Sequence, residues 1–285
     1  MKKLNKSDCG EPIDLKELKQ YQLQMLDALA TVCEEHGIHY YLDGGSLLGA
    51  VRHQGFIPWD DDIDIIIPHP ECVKLMQITN GKIEDYLLVA PNIDGIYPSE
   101  MWKMYDLSII IESDLGGTSS IHSFFPVFMD IFPMEGLPDT EEETAKWYRR
   151  VMFFRKLLNS SNGSVWHGKT LARKLFHGFM RPVTKIVGTK TLFAQLQKAK
   201  ERLAFDEATW VGNMSGPVHT VDSRVLKTDW MRPEKLMFEG KYYSVPGNYK
   251  QYLTQLYGAD SMTTLPPEDK RKSHHSFKVY RRKEQ

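Results

Sequence analysis

Apolar residues recur along this chain at two spacings, and each change of spacing marks a boundary between elements. Over residues 15–36 they fall on one helical face, with Leu18, Tyr21, Met25, Leu29 and Val32 at steps of three and four, Asp14 placed to cap the start and Gly37 to end it. That stripe is a core face. Residues 38–42 then read as a strand, 46–52 as a short helix, 63–67 as a strand, 70–79 as a helix, and 86–90 as a further strand. Residues 101–105 and 108–112 read as a hairpin turning at Asp106 and Leu107. In a strand over 127–132, alternation puts Val127, Met129 and Ile131 on one face and Phe128, Asp130 and Phe132 on the other. A lone Asp between two Phe is poorly explained by solvation. Thr140 and Glu143 form a capping box that opens a helix to about residue 158.

One stretch breaks the apolar logic. Trp59-Asp60-Asp61-Asp62-Ile63-Asp64-Ile65-Ile66-Ile67 sets four carboxylates against a strand-forming run. In an extended strand Asp62 and Asp64 share a face, roughly 6 to 7 Å apart, while Ile63, Ile65 and Ile67 point into the core. Carboxylates that close repel unless a cation neutralises them, so the pair is a candidate divalent-metal seat. Alternation adds Asp60 to that face and leaves Asp61 as a charge that shapes the turn.

Sixteen residues before Asp62, Asp43-Gly44-Gly45-Ser46 joins a strand to a helix. Free amides at a helix N-terminus hold phosphate, and Ser46 could cap the helix and donate its hydroxyl. A Gly-Gly-Ser turn alone is weak. Beside an Asp-Ile-Asp strand it becomes a phosphate cradle next to a metal seat.

The whole stretch from Asp43 through Gly44-Gly45-Ser46-Leu47-Leu48-Gly49-Ala50-Val51-Arg52-His53-Gln54-Gly55-Phe56-Ile57-Pro58-Trp59 to Asp64 resembles the signature of the LicD family of phosphocholine transferases. That family is a branch of the nucleotidyltransferase superfamily, related to the fukutin-related ribitol-phosphate transferases. Met129-Asp130-Ile131-Phe132-Pro133, with Gly136-Leu137-Pro138, is similar to its third-carboxylate strand. Phe238-Glu239-Gly240, Val245-Pro246, Tyr257-Gly258 and Leu265-Pro266-Pro267 are similar to its C-terminal section. The middle of the chain matches no motif.

The resemblance implies an α+β fold, a nucleotidyltransferase-like mixed β-sheet flanked by helices, with a basic helical insertion. The catalytic core would span residues 1–138, the insertion 139–208, and a C-terminal section completing core and substrate site 209–285. It also implies a reaction. Asp62, Asp64 and Asp130 would be catalytic and, with Asp60, hold Mg²⁺ or Mn²⁺, with Asp130 as general base. Gly45 and Ser46 would hold donor phosphate, and Arg52, His53, Lys103, Arg271 and His274 are candidates to contact it. The donor would be a CDP-alcohol, phosphocholine ahead of glycerol or ribitol phosphate, the acceptor a sugar hydroxyl of a cell-surface glycan precursor or lipid-linked glycopolymer, and the leaving group CMP. A nucleotidyltransferase acting on a small hydroxyl compound, or a non-catalytic nucleotide- or glycan-binding module, would use the same site. Tyr41, Trp59, Trp102 and Tyr105 could enclose a choline head group, which aromatic faces recognise.

Composition narrows the setting. With 41% hydrophobic residues and net charge -1 the chain suits a soluble enzyme, and nothing suggests a nucleic-acid partner. Met1 to Lys6 is basic but is followed by no apolar run of signal-peptide length, and no stretch is long enough to span a bilayer, so a cytoplasmic protein is expected. Three dispersed cysteines, Cys9, Cys33 and Cys72, indicate free thiols. The charge is nevertheless segregated. Between Glu143 and Glu201 lie thirteen Lys or Arg and no acid, which leaves 23 of the 36 basic residues against all 37 acidic ones elsewhere. Such a segment fits an anionic glycopolymer or peripheral contact at the inner membrane face, or else a solvated insertion around the loop at Asn159 to Ser164. The apolar face of Phe176, Phe179, Met180, Val183 and Ile186 suits either an interface or packing on the core.

Overall fold

The computed structural model describes residues 4–93, 99–113, 123–162, 171–215, 224–271 and 277–283. Helix α1 (Leu15–Glu35) starts where Asp14 accepts the Glu17 N–H at 2.8 Å. Leu18, Met25 and Leu29 of its stripe are buried, and Tyr21 and Val32 pack half-buried at the edge. The stripe lies on a mixed sheet.

That sheet runs in the order β1 (Cys9–Ile13), β12 (Phe277–Arg282), β6 (Trp102–Ser113), β7 (Ser123–Leu137), β3 (Asp64–Pro68), β2 (Tyr41–Leu42). β4 (Lys82–Ile83) and β5 (Tyr86–Val89) branch from β6, and β8 (Trp210–Asn213) and β9 (Val225–Leu226) from β7. The β3–β7 pair is parallel and the others antiparallel. β3 is central, and its Ile65, Ile66 and Ile67 are all fully buried, as a strand covered on both faces requires. Between β2 and β3 comes helix α2 (Gly44–His53), and after β3 helix α3 (His69–Thr79).

Two expectations are corrected here, and one strand is added. Only Tyr41–Leu42 of the strand expected over 38–42 pairs in the sheet. β6 is one strand, with no hairpin at Asp106 and Leu107. Its register against β7 slips between Asp106 and Ile110, and Asp106 Oδ1 accepts the Ser108 N–H at 2.8 Å and hydroxyl at 2.6 Å. The aspartate that reads as a turn former instead closes a bulge. β1 was not foreseen at all: it is a short edge strand containing Gly10 and Pro12, paired irregularly with β12.

Helices α4 (Glu141–Asn162), α5 (Leu171–Val187) and α6 (Thr189–Lys200) share a second apolar cluster around Trp147, Val151, Leu192 and Leu196, which meets Leu137 of β7. Thr140 Oγ1 accepts the Glu143 N–H at 3.2 Å, forming the expected cap. Two buried cations fasten this layer to the loop before β6. Arg155 grips the Glu100 carboxylate through Nε and Nη2 at 2.8 Å each, and Lys200 Nζ donates to the Glu100 carbonyl at 3.0 Å. The chain continues through α7 (Lys227–Trp230), a separate hairpin of β10 (Glu234–Phe238) and β11 (Lys241–Val245), and α8 (Tyr249–Tyr257). All three cysteines are free and buried, and no helix among the described residues is long and apolar enough to cross a membrane.

Candidate active site

Strand pairing brings the candidate carboxylates together. In the parallel β3–β7 pair, Asp64 lies directly opposite Asp130, so the two side chains share a face. On the far side of β7, Lys103 of β6 is the register partner of Asp130, and its ammonium contacts Asp130 Oδ1. Lys103 also sits 3.5 Å from the centroid of the Phe128 ring, which holds it over that face. Sequence reasoning offered Lys103 to the donor phosphate. The structure gives it to Asp130.

β3 begins only at Asp64, so alternation does not govern Asp60 to Asp62. Those residues follow a turn at Pro58 and Trp59, closed by the Asp60 N–H donating to Ile57 O at 2.9 Å. Their carboxylate oxygens lie within 4.8 Å of one another, and Asp61, set aside as a turn charge, belongs to this cluster. The sequence signal for it was the unbroken acidic run itself. Neighbouring elements hold the turn in place. Lys19 Nζ donates to the carbonyls of Ile57 and Pro58 at 3.1 and 3.2 Å, Gln22 Nε2 to that of Asp61 at 3.0 Å, and Glu239 accepts the Phe56 N–H at 3.0 Å.

Helix α2 supplies the other wall. Asp43 occupies its cap position, and the helical ladder starts with Leu47 N–H to Asp43 O at 3.0 Å, leaving the amides of Gly44, Gly45 and Ser46 at the open end. Ser46 does not cap. Its hydroxyl accepts the Asp64 N–H at 3.0 Å, which ties the helix to β3. Gly45 is needed for space, since a Cβ there would lie 2.5 Å from Asp60 Oδ2.

The electrostatics are those of crowded carboxylates. Burial pushes Asp64 well above the usual carboxylate range, and the charges of Asp62, Asp130, Asp43 and Asp60 push the same way. Asp60 is raised too, by burial, with a hydrogen bond from Asp62 opposing and the charge of Asp61 adding. A set made wholly of carboxylate oxygens fits a hard divalent cation, Mg²⁺ or Mn²⁺, which would relieve this repulsion.

Three further residues join the site without having been given a role from the sequence. Asp43 is buried and accepts a 2.7 Å hydrogen bond from the Tyr252 hydroxyl. The Tyr257 hydroxyl lies close to Gly44, and its pKa is raised by burial and then by the charges of Asp43 and Asp64. Both tyrosines stand on α8, and local spacing gives no sign that α8 folds back on α2.

The remaining candidates are engaged elsewhere. Arg52 Nη1 donates to Ser261 O and Thr264 O at 3.0 and 3.3 Å, and its Nε to His53 Nε2 at 3.0 Å. Burial lowers the His53 pKa, with Arg52 and Lys19 adding to the effect, so the ring stays neutral and accepts. Arg271 Nε donates to Pro266 O at 2.8 Å, and His274 lies outside the described residues. The aromatic enclosure is not assembled. Tyr41 is buried edge-on to Trp230 at 5.8 Å, Trp102 and Tyr105 are buried, and Trp59 alone is half-buried. β-strand aromatics here serve the core.

Comparison with known proteins adds the following. The family model for the LicD/FKTN/FKRP nucleotidyltransferase domain matches residues 37–159. The chain is 28% identical over 279 residues to the lipopolysaccharide cholinephosphotransferase LicD of Haemophilus influenzae, spanning 94% of this chain and 98% of that protein. It is 45% identical over 74 residues to the human ribitol 5-phosphate transferase FKRP, a match covering 25% of this chain and 14% of that protein. Among solved structures, ANT(2")-Ia in complex with adenylyl-2"-tobramycin overlaps 64% of this chain and 98% of that one, at 11% identity and a TM-score of 0.22, too slight to bear on the fold.

Proposed function

The chain carries a LicD-family nucleotidyltransferase domain, and from that premise we propose that it transfers a phospho-alcohol from a CDP-alcohol to a sugar hydroxyl of a glycan precursor, releasing CMP. Phosphocholine is the first choice of group. The relative that matches almost end to end carries a cholinephosphotransferase name, whereas the ribitol 5-phosphate transferase shares only 74 residues with this chain.

The observation that carries the reading is the register pairing of Asp64 with Asp130 beside the open end of α2 and the Asp60 to Asp62 cluster. The amides of Gly44, Gly45 and Ser46 favour an anionic phosphate at the helix N-terminus. Asp60, Asp62 and Asp64 would hold the divalent ion, with Asp130 beside them. When bound, that ion neutralises phosphate charge and favours attack at phosphorus. Asp130, positioned by Lys103, takes the proton from the acceptor hydroxyl. The hydroxyl oxygen forms its bond to phosphorus as the bond to the CMP oxygen breaks. Lys103 is thus a positioning residue. Arg52, in the last turn of α2, holds the turn at Ser261 to Thr264 against that helix.

The test is the mass of the acceptor. Incubation with CDP-choline, Mg²⁺ and an acceptor glycan should add one phosphocholine group with the parent and none with Asp130→Asn. Transfer of a nucleotide to the acceptor would replace this reading with nucleotidyl transfer.

A further inference from the structure

Helix α5 turns bulky apolar side chains to solvent. Phe179 is 79% exposed, Val183 42%, Ile186 86% and Val187 42%, and their spacing places them on one face with the exposed Pro182. Met180 and Thr184, on the opposite side, turn inward. Soluble proteins seldom leave so large an apolar stripe uncovered. Exposed Lys185 lies on the flank of the stripe, and Lys190 is exposed at the start of α6. Around them, from Thr144 to Lys200, there is no carboxylate at all.

We propose that α5 docks on an anionic lipid bilayer, its apolar stripe entering the headgroup region and the surrounding cations meeting lipid phosphates. An amphipathic helix with an apolar face and a basic flank binds such a surface through both terms. A second copy of this chain is a poor occupant, because pairing would bring two acid-free, positive surfaces together. The stripe is also the outer face of a helix and not a groove that would receive a partner helix. The inference rests on α5 and its charge setting, not on the transfer reaction proposed above.

The experiment is sedimentation of the full chain with vesicles of phosphatidylcholine alone and of phosphatidylcholine mixed with phosphatidylglycerol. The chain should pellet with the mixed vesicles, remain in solution with the neutral ones, and be released by salt. The double variant Phe179→Ser, Ile186→Ser should bind mixed vesicles at least about tenfold more weakly. Its melting temperature should match the parent's, since both side chains are exposed. A parent that stays in solution with mixed vesicles, or a variant that binds them as well as the parent, overturns the proposal. So does a concentration-dependent dimer that the variant abolishes without any vesicle binding, which would assign the stripe to self-association.

Discussion

Gly45→Ala is the smallest change that reaches the carboxylates. A Cβ at this position would lie 2.5 Å from Asp60 Oδ2, where ordinary contact begins at 3.4 Å, so the carboxylate must retreat by about 0.9 Å. Gly45 is not among the positive-φ glycines, so the backbone accepts alanine as it stands. Alanine in a helix is favoured over glycine by up to about 1 kcal/mol, while displacing a packed neighbour costs about 1–3 kcal/mol. The two nearly offset. Stability should therefore change by no more than about 2 kcal/mol, a shift of a few degrees in a protein of this size. Activity should respond more strongly, because a displacement near 1 Å at a reacting centre costs on the order of 100-fold. CMP release with CDP-choline and saturating Mg²⁺ should fall between about tenfold and a hundredfold, alongside a near-parental melting curve. The effect should run through Asp60, so in an Asp60→Ala background the same glycine change should cost almost nothing further. Parental turnover in Gly45→Ala, or an undiminished loss in the Asp60→Ala background, refutes the reasoning.

Other perturbations separate the parts of the site. Asp64→Asn with saturating Mg²⁺ should lower turnover at least about a hundredfold. In chelator it should melt above the parent: the raised Asp64 pKa means the folded parent loses stability as pH rises from about 4, and the variant lacks that loss. Melting below the parent in chelator at neutral pH contradicts this. Lys103→Met leaves the Asp130 carboxylate without its partner and should destabilise the metal-free protein by about 2 kcal/mol, with Mg²⁺ restoring part of it; unchanged melting in chelator counts against the pairing. The lowered His53 pKa gives stability that is present above about pH 6.5 and lost as pH falls. His53→Gln should flatten the melting temperature between about pH 5 and 7, and a slope identical to the parent's would exclude His53 as its source.

How much of this was legible depended on whether a local rule applied. The period-2 pattern of residues 127–132 put Asp130 on the correct face because burial alternates along that strand, and the unbroken Ile63 to Ile67 run located the strand bearing Asp64 because that strand is covered on both faces. The register that places Asp64 against Asp130 is a long-range pairing and cannot be read from either strand. Alternation failed at Asp61 because it was extended one turn too far, into residues that precede β3. Asp106 misled for a related reason: the same carboxylate that initiates turns can satisfy the amide of a bulge. Five basic or imidazole side chains and four aromatics were assigned by residue type, without their tertiary partners. Lys103, Arg52 and Arg271 proved committed to a carboxylate or to backbone carbonyls, and Tyr41, Trp102 and Tyr105 to the core. Tyr252 went unmarked and Tyr257 was noted only within a motif, with no site role, because only the return of α8 to α2 brings them near Asp43.

The central claim is that these carboxylates transfer a phospho-alcohol and discard CMP. Supplying the pure protein with Mg²⁺, an acceptor glycan and, in turn, CDP-choline, CDP-glycerol and CDP-ribitol, and measuring the nucleotide released, tests it directly. The account predicts CMP, formed fastest from CDP-choline and lost on adding chelator or on Asp64→Asn. Preference for a polyol donor would overturn the choline assignment, and failure of every donor to yield CMP would contradict the transfer reaction itself.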